Sequence, residues 1–107
     1  MDILKQLYDM ALERRKNPAE GSYTCYLFEQ GIDKICKKIG EESAETIIAA
    51  KNGSPEELKN EISDLIYHLA VLMAEARVSY DDVKEELERR SQKTGNLKPQ
   101  KKTDRNS

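Results

Sequence analysis

The chain has 107 residues, 36% charged and 37% hydrophobic, with no tryptophan and a formal net charge of −2. This length supports one domain with a modest core, a size at which burial is often completed by oligomerisation. Residues 93–107 carry five bases and one acid, which leaves residues 1–92 with 13 bases, 19 acids and a net −6; so acidic a body is a poor electrostatic partner for nucleic acid.

The domain is expected over residues 1–92, with 93–107 a polar, basic, flexible tail. There is neither a signal-peptide pattern nor a run long and apolar enough to span a bilayer. Cys25 and Cys36 form no CxxC pair. The expectation is a soluble, cytoplasmic protein with reduced thiols and no membrane partner. Cys36 falls on an apolar helical face and is expected to be buried.

The first helix is predicted from Asp2, its N-cap, to Lys16, with Ile3, Leu4, Leu7, Tyr8 and Ala11 as its stripe. Asn17-Pro18 and Gly21 stop it, and "NPAEGSYTCY" is a loop by composition. A second helix is predicted over Leu27–Asn52, closed by Gly53, with Gly31 and Gly40 as weak points where it can kink or break. In "SPEE", Ser54 is the N-cap of a third helix, Pro55 takes N1, and Glu57 at N3 completes a capping box. Leu58, Ile62, Leu65, Leu69, Leu72, Met73 and Ala76 form that helix's predicted stripe. A fourth helix begins at Ser79 and presents Tyr80, Val83 and Leu87. No stretch has strand periodicity, so the fold class is all-α, an antiparallel bundle of about four helices.

Carboxylates recur with helical spacing at Glu41, Glu42 and Glu45, and again at Glu61 and Asp64. With Ile32 at zero and about 100° per residue, Glu42 falls at about 280°, Glu45 at about 220° and Glu41 at about 180°. Glu42 thus borders the apolar stripe and Glu41 points away. With Leu58 at zero, Glu61, His68 and Asp64 follow at about 300°, 280° and 240°. If the two helices pack antiparallel, each brings a carboxylate pair to the edge of a shared core. Four such groups repel one another without a cation, and oxygen-only ligation selects magnesium or manganese over zinc. The competing account is a solvated surface on which Lys34, Lys37, Lys38, Lys51 and Lys59 pair with these acids at i, i+4.

Lys38 and Lys34 sit one and two turns before Glu42, beside the site on either account. Carboxylates holding a hard cation next to lysines suit a polyphosphate: ion and lysines neutralise phosphate oxygens while an activated water attacks phosphorus. The single histidine, His68, either orients a ligand carboxylate by a hydrogen bond from behind or is a hydrogen-bonded histidine at the core edge. One histidine fits poorly with a di-iron bundle. Ser43 has no base arranged beside it for a nucleophilic triad.

"SYTCYLFEQGIDKICKKIGEESAETIIAAKNG" and "ELKNEISDLIYHLAVLMAEARVSYDDVKEELERR" carry a family resemblance. Glu41-Glu42-x-x-Glu45 followed by Glu61-x-x-Asp64 is similar to the EExxE…ExxD signature of the all-α nucleotide pyrophosphohydrolases, which include MazG-like proteins and dimeric dUTPases. The "SYT…LF…G…K…KK.GEE" lead-in resembles phosphoribosyl-ATP pyrophosphohydrolases of histidine biosynthesis, over about residues 3 to 90. The resemblance implies magnesium-dependent hydrolysis of phosphoribosyl-ATP to phosphoribosyl-AMP and pyrophosphate. It implies Glu42, Glu45, Glu61 and Asp64 as metal ligands, with Glu41 assisting or holding the catalytic water. It implies that Lys34 and Lys38 hold phosphates, that Ser22, Tyr23 and Thr24 approach the substrate, and that Arg90 is a further phosphate contact. It also implies a homodimer or higher homo-oligomer, in the monofunctional form without a cyclohydrolase domain. The C-terminal "SQKTGNLKPQKKTDRNS" departs from the Ser-Gly-containing motif ending in Glu-Lys that many relatives carry. The alternatives are a housekeeping nucleoside triphosphate pyrophosphohydrolase with the same metal site and a non-catalytic helical interaction module.

Overall fold

A computed structural model describes residues 2–93, and every regular element among them is an α-helix. The order is α1 (Ile3–Lys16), α2 (Tyr23–Gln30), α3 (Ile32–Lys51), α4 (Pro55–Ala76) and α5 (Tyr80–Ser91). The all-α expectation holds, with five helices in place of about four. The tail expected to be flexible lies, beyond Lys93, outside the described residues.

Side-chain caps start four of the five helices. Asp2 accepts from the Lys5 amide at 3.2 Å, Ser22 from Cys25 at 3.2 Å, Ser54 from Glu57 at 3.2 Å and Ser79 from Asp82 at 3.1 Å. Each satisfies one amide that the first turn leaves open. At Ser54 only half of the predicted capping box forms. The Ser54 amide donates to the Ala49 carbonyl at 3.3 Å, so the tight α3–α4 turn has already taken the group that Glu57 would accept from.

The largest departure from expectation is at Gly31. One helix over Leu27–Asn52 was predicted; the chain breaks there, and α2 begins inside the segment expected to be a loop. Gly31 has φ 87° and ψ −174°, a conformation almost confined to glycine. It ends α2 and begins α3 at one residue. Gly40, the other weak point, stays within α3. A Cβ on Gly31 would meet nothing within 4 Å, so the cost of a side chain is conformational rather than steric. Gly31→Ala is expected to lose about 1–3 kcal/mol of stability, measured by urea unfolding; an unchanged midpoint would show that the break relaxes freely.

The fully buried centre is small: Ala11, Leu27, Ile35, Val71 and Ala74, ringed by Tyr8, Phe28, Ile39, Tyr67 and Leu72. The short turn at Asn52–Ser54 folds α4 back along α3, and these two make the most extensive helix pair. α1 packs on α4, and Arg15 secures the contact. Its Nη1 donates to the Ala74 carbonyl at 2.6 Å, lies 3.4 Å from Glu75 Oε1, and the guanidinium carbon sits 5.6 Å from the Phe28 ring centroid. Tyr80 of α5 is buried, its ring centroid 6.5 Å from that of Tyr8.

α4 turns a different face inward from the one predicted. Its buried residues are His68, Ala70, Val71 and Ala74, whereas Ile62 and Leu69 of the predicted stripe are 41% and 39% exposed, with Ile66 beside them at 37%. α4 is apolar on two sides, and the side with the small alanines packs within the chain, where helices approach closely. α3 behaves alike: Ile35 is buried, while Ile32, Ile47 and Cys36 are exposed. The expected burial of Cys36 is therefore wrong; Cys25 is the buried cysteine.

Candidate functional site

The α3–α4 hairpin brings carboxylates together. Glu42 comes from the inward face of α3 and is 6% exposed. Glu42, Glu45 and Glu61 each offer an oxygen, and these oxygens all lie within 4.8 Å of one another. Oε2 of Glu42 and Oε2 of Glu61 are buried without a hydrogen-bond partner. An unpaired buried carboxylate oxygen is costly, and a solvated charged face has no reason to hold two of them side by side. The neighbouring Glu45 carboxylate, then burial, then Glu42 push the Glu61 carboxyl up to about 7. An all-oxygen, carboxylate donor set with orphaned oxygens fits a hard divalent cation.

The sign of this crowding is measurable. Unfolded, Glu61 titrates near the ordinary glutamate value of 4.5; folded, at about 7. Between those values the folded chain holds more protons than the unfolded one, so stability falls as pH rises. The penalty is absent below the lower value and complete above the upper. Metal-free protein is expected to melt higher at about pH 5.5 than at about pH 8, and a saturating divalent cation, which competes with the proton, should reverse that order. Glu61→Gln should flatten the dependence. Thermal scans with and without chelator check this, and a metal-free melting temperature that climbs with pH in wild type but not in Glu61→Gln would contradict the crowding.

The other candidates divide. Asp64, expected as a ligand, stands outside the trio with its side chain exposed one turn along α4. Glu41 is exposed as the wheel indicated, with Lys38 Nζ 3.7 Å from its Oε1 and 4.0 Å from Glu42 Oε1. Burial works against the Lys38 ammonium, but Tyr23, Glu41, Glu42 and Glu45 outweigh it and hold its pKa above the ordinary lysine value. Lys34 lies over the Tyr26 ring, 6.0 Å from the centroid. Arg90 pairs with Glu86 at 3.9 Å on α5 and is not gathered with the carboxylates.

Ser22 caps α2, and Tyr23 and Thr24 sit in its first turn. These two hydroxyls turn toward α4: Tyr23 Oη lies 3.0 Å from His68 Nε2, and Thr24 bonds Tyr67. His68 is 4% exposed, and its Nδ1 meets the Asp64 backbone carbonyl at 2.8 Å. Of its two expected roles, the structure places it as a hydrogen-bonded histidine, with no carboxylate among its partners in the described residues. Tyr67 was not singled out from sequence. Its ring centroid is 6.1 Å from that of Tyr23 and 5.1 Å from that of His68. Tyr67 lies on the side of α4 away from the exposed Ile62 and Leu69 and packs against the core.

Comparison with known proteins identifies the family. Residues 4–91 match the family model described as phosphoribosyl-ATP pyrophosphohydrolase. A phosphoribosyl-ATP pyrophosphatase of Clostridium novyi is 50% identical over 101 residues, covering 94% of this chain and 92% of its own. One from Limosilactobacillus fermentum is 56% identical over 90 residues, covering 84% and 85%. The histidine biosynthesis bifunctional protein HisIE of Caldanaerobacter subterraneus is 55% identical over 93 residues, which are 87% of this chain and 45% of that longer one. The trio Glu42, Glu45 and Glu61 lies within the matched span, and the chain belongs to the phosphoribosyl-ATP pyrophosphohydrolase family.

Proposed function

We propose that the chain hydrolyses phosphoribosyl-ATP between its α and β phosphates, giving phosphoribosyl-AMP and pyrophosphate in histidine biosynthesis, with magnesium as the cation. The observation that carries this is the trio Glu42, Glu45 and Glu61 with its two buried, unpaired oxygens; membership of the family supplies the substrate. Asp64, exposed one turn from Glu61, joins as a fourth ligand by a change of rotamer. When bound, magnesium neutralises phosphate oxygens and lowers the pKa of water. Lys38, beside Glu41 and Glu42, holds a phosphate, and the exposed Glu41 positions the attacking water. Pyrophosphate release from phosphoribosyl-ATP, followed against magnesium concentration and beside a panel of deoxynucleoside triphosphates, tests this. Activity abolished by chelator and restored by magnesium is expected; faster release from the ordinary triphosphates would overturn the substrate assignment.

We infer further that a second copy covers the outer face of α4. Ile62, Ile66 and Leu69 line one side of that helix at i, i+4 and i+7, all exposed in a single chain. Ile32 and Ile47 of α3 are exposed as well, Ile47 by 64%. A chain with so small an internal core gains most by burying such a face against its own copy.

A further inference from the structure

His68 has two ring nitrogens and two partners, and the chemistry of one partner fixes the other bond. The Asp64 backbone carbonyl, 2.8 Å from Nδ1, can only accept. Nδ1 therefore carries the proton, and in the neutral ring Nε2 is an acceptor. Tyr23 Oη, 3.0 Å from Nε2, must donate to it. The Asp64 carbonyl, His68 and Tyr23 thus form one chain of hydrogen bonds with a single direction. The ring that transmits it is held edge-on to both Tyr23 and Tyr67, at interplanar angles of 84° and 83°.

We propose that His68 is a positioning residue which accepts the hydrogen bond of the Tyr23 hydroxyl, so that the Tyr23 oxygen meets the bound substrate as an acceptor rather than a donor. This rests on the substrate reading above and changes the role expected for Tyr23. A hydroxyl whose proton is committed to His68 cannot donate to a phosphate oxygen. It offers only lone pairs, to a hydroxyl or amino donor of the substrate. The arrangement ties the first turn of α2 to α4, the helix that supplies Glu61.

The chain contains one histidine, so ¹⁵N-labelled histidine gives one pair of ring resonances. At about pH 8, metal-free wild type is expected to show the Nδ1–H tautomer. In Tyr23→Phe the Nε2 resonance should move as it loses its donor. An Nε2–H tautomer in wild type would overturn the proposal. In turnover assays, Tyr23→Phe is expected to raise KM for phosphoribosyl-ATP about tenfold with kcat changed less than about threefold. His68→Phe keeps a ring in the edge-on stack but removes the acceptor, and should do the same; the double variant should be no worse than either. His68→Gln, whose amide oxygen can accept from the phenol, should restore most of the loss. Additive effects, or a loss confined to kcat, would end the idea. If His68→Phe does not fold, the tautomer and Tyr23→Phe still decide. If wild type turns over only other nucleotides, the substrate reading fails while the tautomer result stands.

Discussion

Glu42→Gln is expected to lower kcat/KM for phosphoribosyl-ATP by about a thousandfold or more, roughly 4 kcal/mol at the usual 1.4 kcal/mol per decade. Glu42 is the most buried of the three converging carboxylates, and one of its oxygens has no protein partner. A neutral amide in its place keeps the volume and removes the charge on which cation binding depends. Folding should respond in the opposite sense. Without metal, the trio is three acids within 4.8 Å, crowded enough to push Glu61 up to about 7. Removing one charge relieves the other two, so the metal-free variant is expected to be as stable as wild type or more stable at about pH 8. Steady-state kinetics together with thermal scans in chelator check both halves. A variant that loses activity because it unfolds would show a structural glutamate, and one that keeps wild-type turnover would end the metal-site assignment.

The carboxylate trio was legible in the sequence because helical spacing converts directly into direction. Glu42 and Glu61 fall beside apolar positions, whereas Glu41 does not, and burial ranks them in that order. Cap positions were legible for the same local reason at Asp2, Ser54 and Ser79. Ser22 was passed over because its neighbours, Pro18, Gly21 and three hydroxyls in a row, have the composition of a loop. Gly31 was seen as a weak point, but a glycine inside a helical pattern does not announce whether it bends, breaks or does neither; Gly40 shows the last outcome. What a wheel cannot supply is a choice between two apolar sides of one helix. On α4 the larger side chains define the stripe, yet Ala70, Val71 and Ala74 pack inside. That inversion also hid Tyr67 and turned His68 from an expected edge residue into a nearly buried one. Asp64 shows a different limit: it keeps the i, i+3 spacing from Glu61, yet its side chain is exposed and stands outside the trio.

Ile66→Glu should abolish self-association at micromolar concentration while leaving the helical content intact. Ile66 sits between Ile62 and Leu69 on the outer side of α4 and is 37% exposed in the single chain, so glutamate there is tolerated when no partner is present. In a two-fold dimer the contact is isologous, and every substitution enters it twice. Each copy would bury a carboxylate without a counter-charge. At about 3–5 kcal/mol for an uncompensated buried charge, even half of that at each site, discounted for a rim position, sums to roughly 3–5 kcal/mol. This is about two to four decades in the dimer dissociation constant. Sedimentation equilibrium on wild type and variant measures it directly, and circular dichroism shows whether the monomer keeps its helices. The charge control is Lys84→Glu on the exposed side of α5, which changes net charge by the same sign without touching the α4 face and should leave association unaltered. A wild-type chain that is monomeric at high micromolar concentration would remove the second copy altogether. An Ile66→Glu chain that still dimerises would place the contact elsewhere, with Ile32 and Ile47 of α3 as the remaining exposed apolar positions on the hairpin. Loss of the dimer with activity retained would show that each site is built from one chain; loss of both would show that the carboxylate trio needs its neighbour in place.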